Sequence, residues 1–303
     1  MKILSVSTTD PAAWAAGNRA ELRSLLATDG AVLVRGLGIA DVSTAAAVSH
    51  ALIDSFVVER EGFAPRDSLE QGMYSSTKWP SDQPMCMHHE LSYVPDVPTV
   101  LAFTCLRAPA SGGVTALADS QAVLDDLPAD LVSRFSGHGW QLVRNYNPLV
   151  GVPLADAFGS ADKDVVEAYC ESHGISWNWG PDGSLRTTQT RPAVVRHPVS
   201  GRPGWFNQIA FLNEWTMDPD VRDYLTMALD GGLPFNTFAG DGTPLDRESV
   251  DAINAVYDAH TIREPWQDGD LMLVDNIRMA HAVEPYKGPR EIVVAMGEPV
   301  RLM

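Results

Sequence analysis

The segment Met87-His88-His89-Glu90-Leu91-Ser92-Tyr93 holds residue types that readily do chemistry. With Met85, Leu91 and Tyr93 around it, it reads as a β-strand at the edge of a pocket. Residues i and i+2 of a strand share a face, so His88 and Glu90 project together and His89 turns away. One imidazole and one carboxylate supply two thirds of a 2-His-1-carboxylate facial triad, which leaves positions on Fe(II) open for reactants. A lone His-x-Glu arises readily by chance, and a packed or solvated histidine is the common case. A second cluster adds weight: Trp266-Gln267-Asp268-Gly269-Asp270, then Leu271 to His281, then Arg290 opening a strand over 291–296. A distant histidine followed by an arginine suits a third ligand and an anion anchor.

Taken together, His88-His89-Glu90-Leu91-Ser92-Tyr93, Gly112-Gly113-Val114-Thr115 and Asp275-Asn276 through His281 to Arg290 resemble a known family. It is the taurine dioxygenase (TauD/TfdA)/clavaminate synthase-like superfamily of Fe(II)/2-oxoglutarate oxygenases. The strand motif and Trp205-Phe206-Asn207-Gln208 are most similar to its amino-acid-modifying, natural-product (antibiotic) branch, and the likeness runs from about residue 30 to 298. It implies a mainly β fold with α insertions, whose core is a double-stranded β-helix, a distorted jelly roll. It also implies Fe(II) on His88, Glu90 and His281. 2-Oxoglutarate would chelate the metal, with its far carboxylate on Arg290, whose planar fork suits carboxylates, and with a hydrogen bond from Thr115. Arg278 competes for the anchor role because it lies close to His281.

The implied reaction consumes O2, converts the co-substrate to succinate, and hydroxylates an unactivated C–H of an amino acid or derivative, free or tethered to a peptidyl carrier protein. Desaturation and epoxidation use the same ligands. Halogenation is disfavoured, since related halogenases have a small residue where Glu90 stands. Zinc can also take two histidines and a glutamate, but the His-Glu-x-x-His helix of many zinc hydrolases is absent. A reading from another class is a non-catalytic jelly roll that binds a metabolite or a partner; it would predict a broken triad. Ser76, Thr77, Asn207, Gln208 and Arg278 are the candidates for touching substrate.

Totals narrow the setting. Against 22 basic residues stand 39 acidic ones, a net charge of −17 that repels nucleic acid and anionic membranes. Three cysteines, Cys86, Cys105 and Cys170, form no C-x-x-C and no even framework, which favours a reducing cytoplasm. Cys86 could share the face of His88, though a packed thiol is the commoner case. No signal pattern opens the chain and no apolar run reaches membrane-spanning length.

The elements that must position these residues follow in order. Asp10-Pro11 starts a helix that stops near Gly30, and 31–36 reads as a strand. A second helix spans roughly Val42 to Phe56. The stretch 59–83 is polar and turn-rich, with Tyr74 to Pro80 placed to line a pocket rim. Strands follow at Val100–Cys105 and, after the Ser111-Gly112-Gly113 turn, at Val114–Asp119. Ser120 to Phe135 is helical but divided by Pro128. A strand near Trp140–Arg144, a loop at 147–151, a helix from Asp164 to His173 and a short strand at Trp177–Trp179 come next. Arg191 to Pro198 alternates toward a turn, which makes His197 an exposed loop residue and no ligand. Trp205–Ile209 reads as a strand, Phe235–Gly242 as a loop of the kind that forms lids, and Met227–Leu229 and Glu248–His260 as helices. One domain over 1–303 is expected, with N-terminal helices bracing the core and a long insert at about 120–265.

Overall fold

A computed structural model describes every residue except Pro65, Gln71, Pro148, Leu149, Asp230, Gly231 and Met303, so the middle of the expected 147–151 loop lies outside the described residues. The chain opens with β1 (Lys2–Ser5), α1 (Pro11–Asp29), β2 (Ala31–Arg35) and α2 (Val42–Leu52). The start of α1 is as the sequence dictates: Asp10 accepts from the Ala13 amide at 3.0 Å, and Pro11 sits in the first turn. Gly30 ends it with φ 75, returning its N–H to Leu26; a left-handed residue there suits glycine. α2 ends at Leu52 rather than near Phe56, because Ile53 takes extended backbone.

The polar stretch 59–83 contains a small hairpin, β3 (Ser68–Glu70) and β4 (Met73–Ser75). Then come β5 (Met85–His88), β6 (Asp96–Arg107), β7 (Ser111–Gly112), β8 (Thr115–Asp119), α3 (Ser120–Asp126) and α4 (Ala129–His138). The break between the two helices falls at Pro128, as expected. The insert continues with β9 (Trp140–Tyr146), α5 (Leu154–Phe158), α6 (Lys163–Ser172), β10 (Ile175–Trp179), β11 (Leu185–Arg191), β12 (Val194–Arg196) and β13 (Pro203–Trp205). A single 3-10 turn at Glu214–Thr216, α7 (Pro219–Ala228), β14 (Phe235–Ala239) and α8 (Arg247–Ala259) complete it. The chain closes with β15 (Leu271–Asp275), β16 (Met279–Val283), β17 (Tyr286–Lys287) and β18 (Glu291–Arg301).

Two expectations change here, and one strand is new. The strand through Trp205–Ile209 stops at Trp205, because the Asn207 side chain takes the Ile209 amide at 3.0 Å and turns the chain. Phe235–Ala239, read as a lid-type loop, is β14, hydrogen-bonded along β9. β11 went unread because its inward face carries Thr187 and Gln189 beside Leu185, so no apolar alternation marks it.

A seven-stranded mixed sheet runs in the order β1-β2-β15-β6-β18-β4-β3. Successive residues of its central strands face opposite ways. Leu271 and Leu273 of β15 pack with Leu22 and Leu26 under α1 and α2, while Met272 and Val274 join Phe103, Leu117 and Val294 in the main core. That second face holds the smaller sheet β5-β16-β8, which carries the candidate ligands. The insert supplies a separate sheet, β10-β11-β9-β14. Among the described residues the architecture is therefore sheet-rich with eight α-helices.

Candidate functional site

Strand register brings the two ends of the chain together. β16 pairs antiparallel with β5 so that His281 lies directly opposite His88, and with β8 so that His281 faces Leu117. Side chains opposite one another on one face are neighbours, and the two imidazole centroids are 4.3 Å apart. Glu90 completes the group: one ligand atom from each of His88, Glu90 and His281 lies within 4.8 Å of the others, and all three residues are buried. The His281 Nε2 to Glu90 Oε2 distance is 3.7 Å.

Glu90 reaches this position by a different route from the one its spacing implied. β5 ends at His88, and Glu90 sits in a turn whose next residue, Leu91, has φ 53. A left-handed leucine is costly and is kept only where its surroundings dictate it. Asn276 does so: its Oδ1 accepts from the Glu90 amide at 2.8 Å, and its Nδ2 donates to the Glu90 carbonyl at 2.9 Å and to Pro98 O at 2.8 Å. His89 does face away, as expected, with Nδ1 bonded to Asn276 O at 2.6 Å. The Gln208 amide nitrogen holds the His89 carbonyl at 2.8 Å.

The donor chemistry fits Fe(II). His88 Nδ1 donates to Cys86 O at 2.9 Å, which leaves Nε2 with a free lone pair. Burial, with His281 alongside, pushes His88 down to about 3, so it is neutral near pH 7. For Glu90, burial works against the charge, but the Arg66 guanidinium and the flanking histidines hold its carboxyl below the usual range. Imidazole nitrogens and a carboxylate are what such an ion requires. Cys86 is half-buried, stands outside this group, and its thiol is pushed up to about 11 by burial.

The residues expected to hold 2-oxoglutarate meet on the same side. Arg290, just before β18, donates from Nε to Gly113 O at 3.0 Å and from Nη2 to Thr115 Oγ1 at 3.2 Å. Gly113 itself has φ 67, and a Cβ there would lie 2.7 Å from Pro109 Cγ, 2.9 Å from Tyr286 Cβ and 3.1 Å from Arg290 Cδ, so this turn favours glycine. Trp266 Nε1 also donates to Thr115 Oγ1, at 3.1 Å. With two bonds accepted, the Thr115 hydroxyl keeps its proton for an incoming acceptor. His88, Glu90, His281, Thr115 and Arg290 line one common space. Ser76 and Thr77 lie on its rim.

A second space of about 220 Å³ opens from His88 and Glu90 toward the insert, walled by apolar side chains such as Phe63, Trp79, Phe211 and Phe235. Phe211 stacks on His88 at 4.6 Å. Gln208 lines this space, and Thr77 borders both spaces. Asn207 does not: its amide is spent on Ala193 O and the Ile209 amide. Arg278 is also elsewhere, bonded to Asp119 at 2.9 Å and to Thr28 O at 2.8 Å, so the anchor and substrate roles offered for it do not fit its position. His197 is half-buried rather than exposed, paired with Asp275 at 2.8 Å, and no ligand. Sequence reasoning missed Arg66, which donates to Glu90 Oε2 at 3.0 Å, and Glu59 nearby; both lie in the polar stretch, where nothing set them apart. It quoted Trp266 and Asn276 without a role, since neither has one until the fold closes.

The model of the family described as taurine catabolism dioxygenase TauD, TfdA family matches residues 2–296. The chain belongs to this dioxygenase family. The dapdiamide synthesis protein DdaC of Enterobacter agglomerans is 30% identical over 301 residues, 99% of this chain and 92% of that protein. A clavaminate synthase-like protein of Arabidopsis thaliana is 29% identical over 286 residues, 91% of this chain and 83% of its own length. Among solved structures, PvcB, an Fe, alpha-ketoglutarate dependent oxygenase from an isonitrile synthetic pathway, superposes with TM-score 0.54 at 15% identity, covering 99% of this chain and 89% of PvcB. AAD-2, solved with Mn(II) and N-oxalylglycine, gives 0.54 at 15% identity, covering 99% and 95%. These two show the shared fold. As a family member with this donor set, the chain is an oxidoreductase of the iron- and 2-oxoglutarate-dependent dioxygenase class.

Proposed function

We propose that this dioxygenase hydroxylates an unactivated C–H of an amino acid or amino-acid derivative in a natural-product pathway. The observation that carries the reading is that His88 and Glu90 form the shared wall of two spaces, one with Arg290 and Thr115, the other apolar. His88, Glu90 and His281 would hold Fe(II), and Arg290 with Thr115 would hold the far carboxylate of 2-oxoglutarate. The pairing of β5, β16 and β8 against the seven-stranded sheet suits a double-stranded β-helix as the core.

When bound, iron with 2-oxoglutarate and O2 supplies the oxidant and leaves succinate and CO2. Arg290 orients the co-substrate by a charge-assisted fork, and Thr115 adds a donor beside it. Phe211, stacked on His88, and Trp79 keep water from the reacting face of the substrate. Glu90 fills the place a chloride would need, which favours oxygen transfer over halogenation. The dapdiamide and isonitrile relatives support a biosynthetic setting. The three cysteines are free of disulfides, in keeping with a cytoplasmic enzyme, and among the described residues no helix is long and apolar enough to cross a membrane.

The test is to offer amino acids, free and carrier-loaded, and to measure succinate with the product mass. One succinate per product heavier by one oxygen is expected. Loss of two hydrogens would replace hydroxylation by desaturation. A chlorine isotope pattern would overturn the role given to Glu90. No succinate with any substrate would favour the non-catalytic binding protein.

A further inference from the structure

Arg66 is nearly enclosed, with its side chain 10% exposed, and its fork is only partly used. Nε donates to Thr77 Oγ1 at 2.8 Å and Nη2 to Glu90 at 3.0 Å. Among the described residues, Nη1 has as partners only Met296 Sδ at 3.9 Å and Glu59 Oε2 at 3.9 Å, both too long for a good hydrogen bond. A buried guanidinium nitrogen without an oxygen acceptor in reach is costly, and five N–H groups call for more oxygen than the two acceptors here supply. Arg66 lines both spaces, whereas Glu59 lines only the apolar one and so draws Arg66 toward that side. Glu59 is itself largely enclosed, at 14% exposure.

The charges point one way. Metal on Glu90 would share the carboxylate that Nη2 now holds, so that its charge would no longer balance Arg66 alone. Around a divalent ion, Glu90, the two carboxylates of 2-oxoglutarate and Arg290 already sum to zero. What remains is one cation and one anion, Arg66 and Glu59, in the wall of an apolar chamber. A neutral substrate ending would leave that pair half-desolvated; a zwitterion would match it group for group.

We propose that Arg66 and Glu59 read the carboxylate and ammonium of a free α-amino acid with an apolar side chain. This deepens the amino-acid reading above and rests on it. It also divides the two substrate forms, since an amino acid tethered as a thioester has no carboxylate for Arg66.

Calorimetry on the enzyme loaded with Mn(II) and N-oxalylglycine tests it, using the proteinogenic L-amino acids, their carboxamides and their N-acetyl forms. At least one apolar amino acid should bind, with its carboxamide and its N-acetyl form each weaker by about tenfold or more. Arg66→Met should erase the acid-over-amide preference, Glu59→Gln the amine-over-acetamide preference, and both should still take up one Mn(II). Should Arg66→Met fail to hold metal, Arg66→Lys replaces it; the charge without the fork should shrink the preference. An amide that binds the parent as tightly as the acid, or a preference that survives both Arg66 variants, overturns the proposal. So does binding by no free amino acid. In that last case, succinate from carrier-loaded substrates would leave the hydroxylase reading standing. Free amino acids that bind but yield no succinate would sink the hydroxylase reading alone.

Discussion

The two spaces that share His88 and Glu90 are built differently. The co-substrate space is framed by paired strands: Thr115 on β8, His281 on β16, and Arg290 leading into β18, whose ladder with β6 is the longest in the protein. Its polar groups are tied to one another through Gly113 O, Thr115 Oγ1 and Trp266 Nε1. The substrate space is framed by turns and by the insert. Glu59 and Phe63 precede the β3–β4 hairpin outside any helix or strand, Phe211 lies in an irregular stretch, and Phe235 starts a strand of the insert's own sheet. Shared chemistry thus rests on a rigid ladder, while the part that must differ between substrates rests on segments that tolerate change.

Breaking the shared wall should have the largest effect. His88→Ala, Glu90→Ala and His281→Ala are each expected to reduce succinate formation to background while the far-ultraviolet spectrum stays native. Near-parent turnover in any one removes that residue from the metal set. Next comes the rigid side alone. Arg290→Ala forfeits a desolvated charge pair worth about 2–5 kcal/mol. The 2-oxoglutarate KM should rise by roughly thirtyfold or more, with little change in substrate KM. Arg278→Ala, facing Asp119 and Thr28, should leave both unchanged.

A third change sharpens how the wall is held. Asn276→Ala leaves the Glu90 amide and carbonyl without their partners, at about 1–3 kcal/mol. Both the melting temperature and metal affinity should fall, the latter by about 10–100-fold. A drop in melting temperature alone would make Asn276 a scaffold residue only. The smallest expected effect is Trp266→Phe, which removes one neutral donor from Thr115, worth about 0.5–1.5 kcal/mol. It should raise the 2-oxoglutarate KM a few-fold without touching substrate binding.

The same contrast explains what could be read from the sequence. The sequence marks His88 and Glu90 by their spacing, and His281, Thr115 and Arg290 by motif order matched to the family it resembles. α1 announces itself by its Asp10-Pro11 start, and the helical readings over Asp164–His173 and Glu248–His260 fall on α6 and α8. The turn that delivers Glu90 was hidden, since His-x-Glu on a strand and His-x-Glu at a strand end look alike. Arg66 was silent for a different reason: a charged residue in a polar stretch gives no sign that folding will bury it. Arg278 and Asn207 misled because residue type and nearness in sequence do not say which face of the sheet a side chain meets.

A crystal structure of the enzyme with Mn(II) and N-oxalylglycine would test the central claim most directly. The metal should bind His88, Glu90 and His281 together, with the far carboxylate of the analogue on Arg290 and Thr115. Metal held without Glu90, or a carboxylate anchored on Arg278, would contradict it.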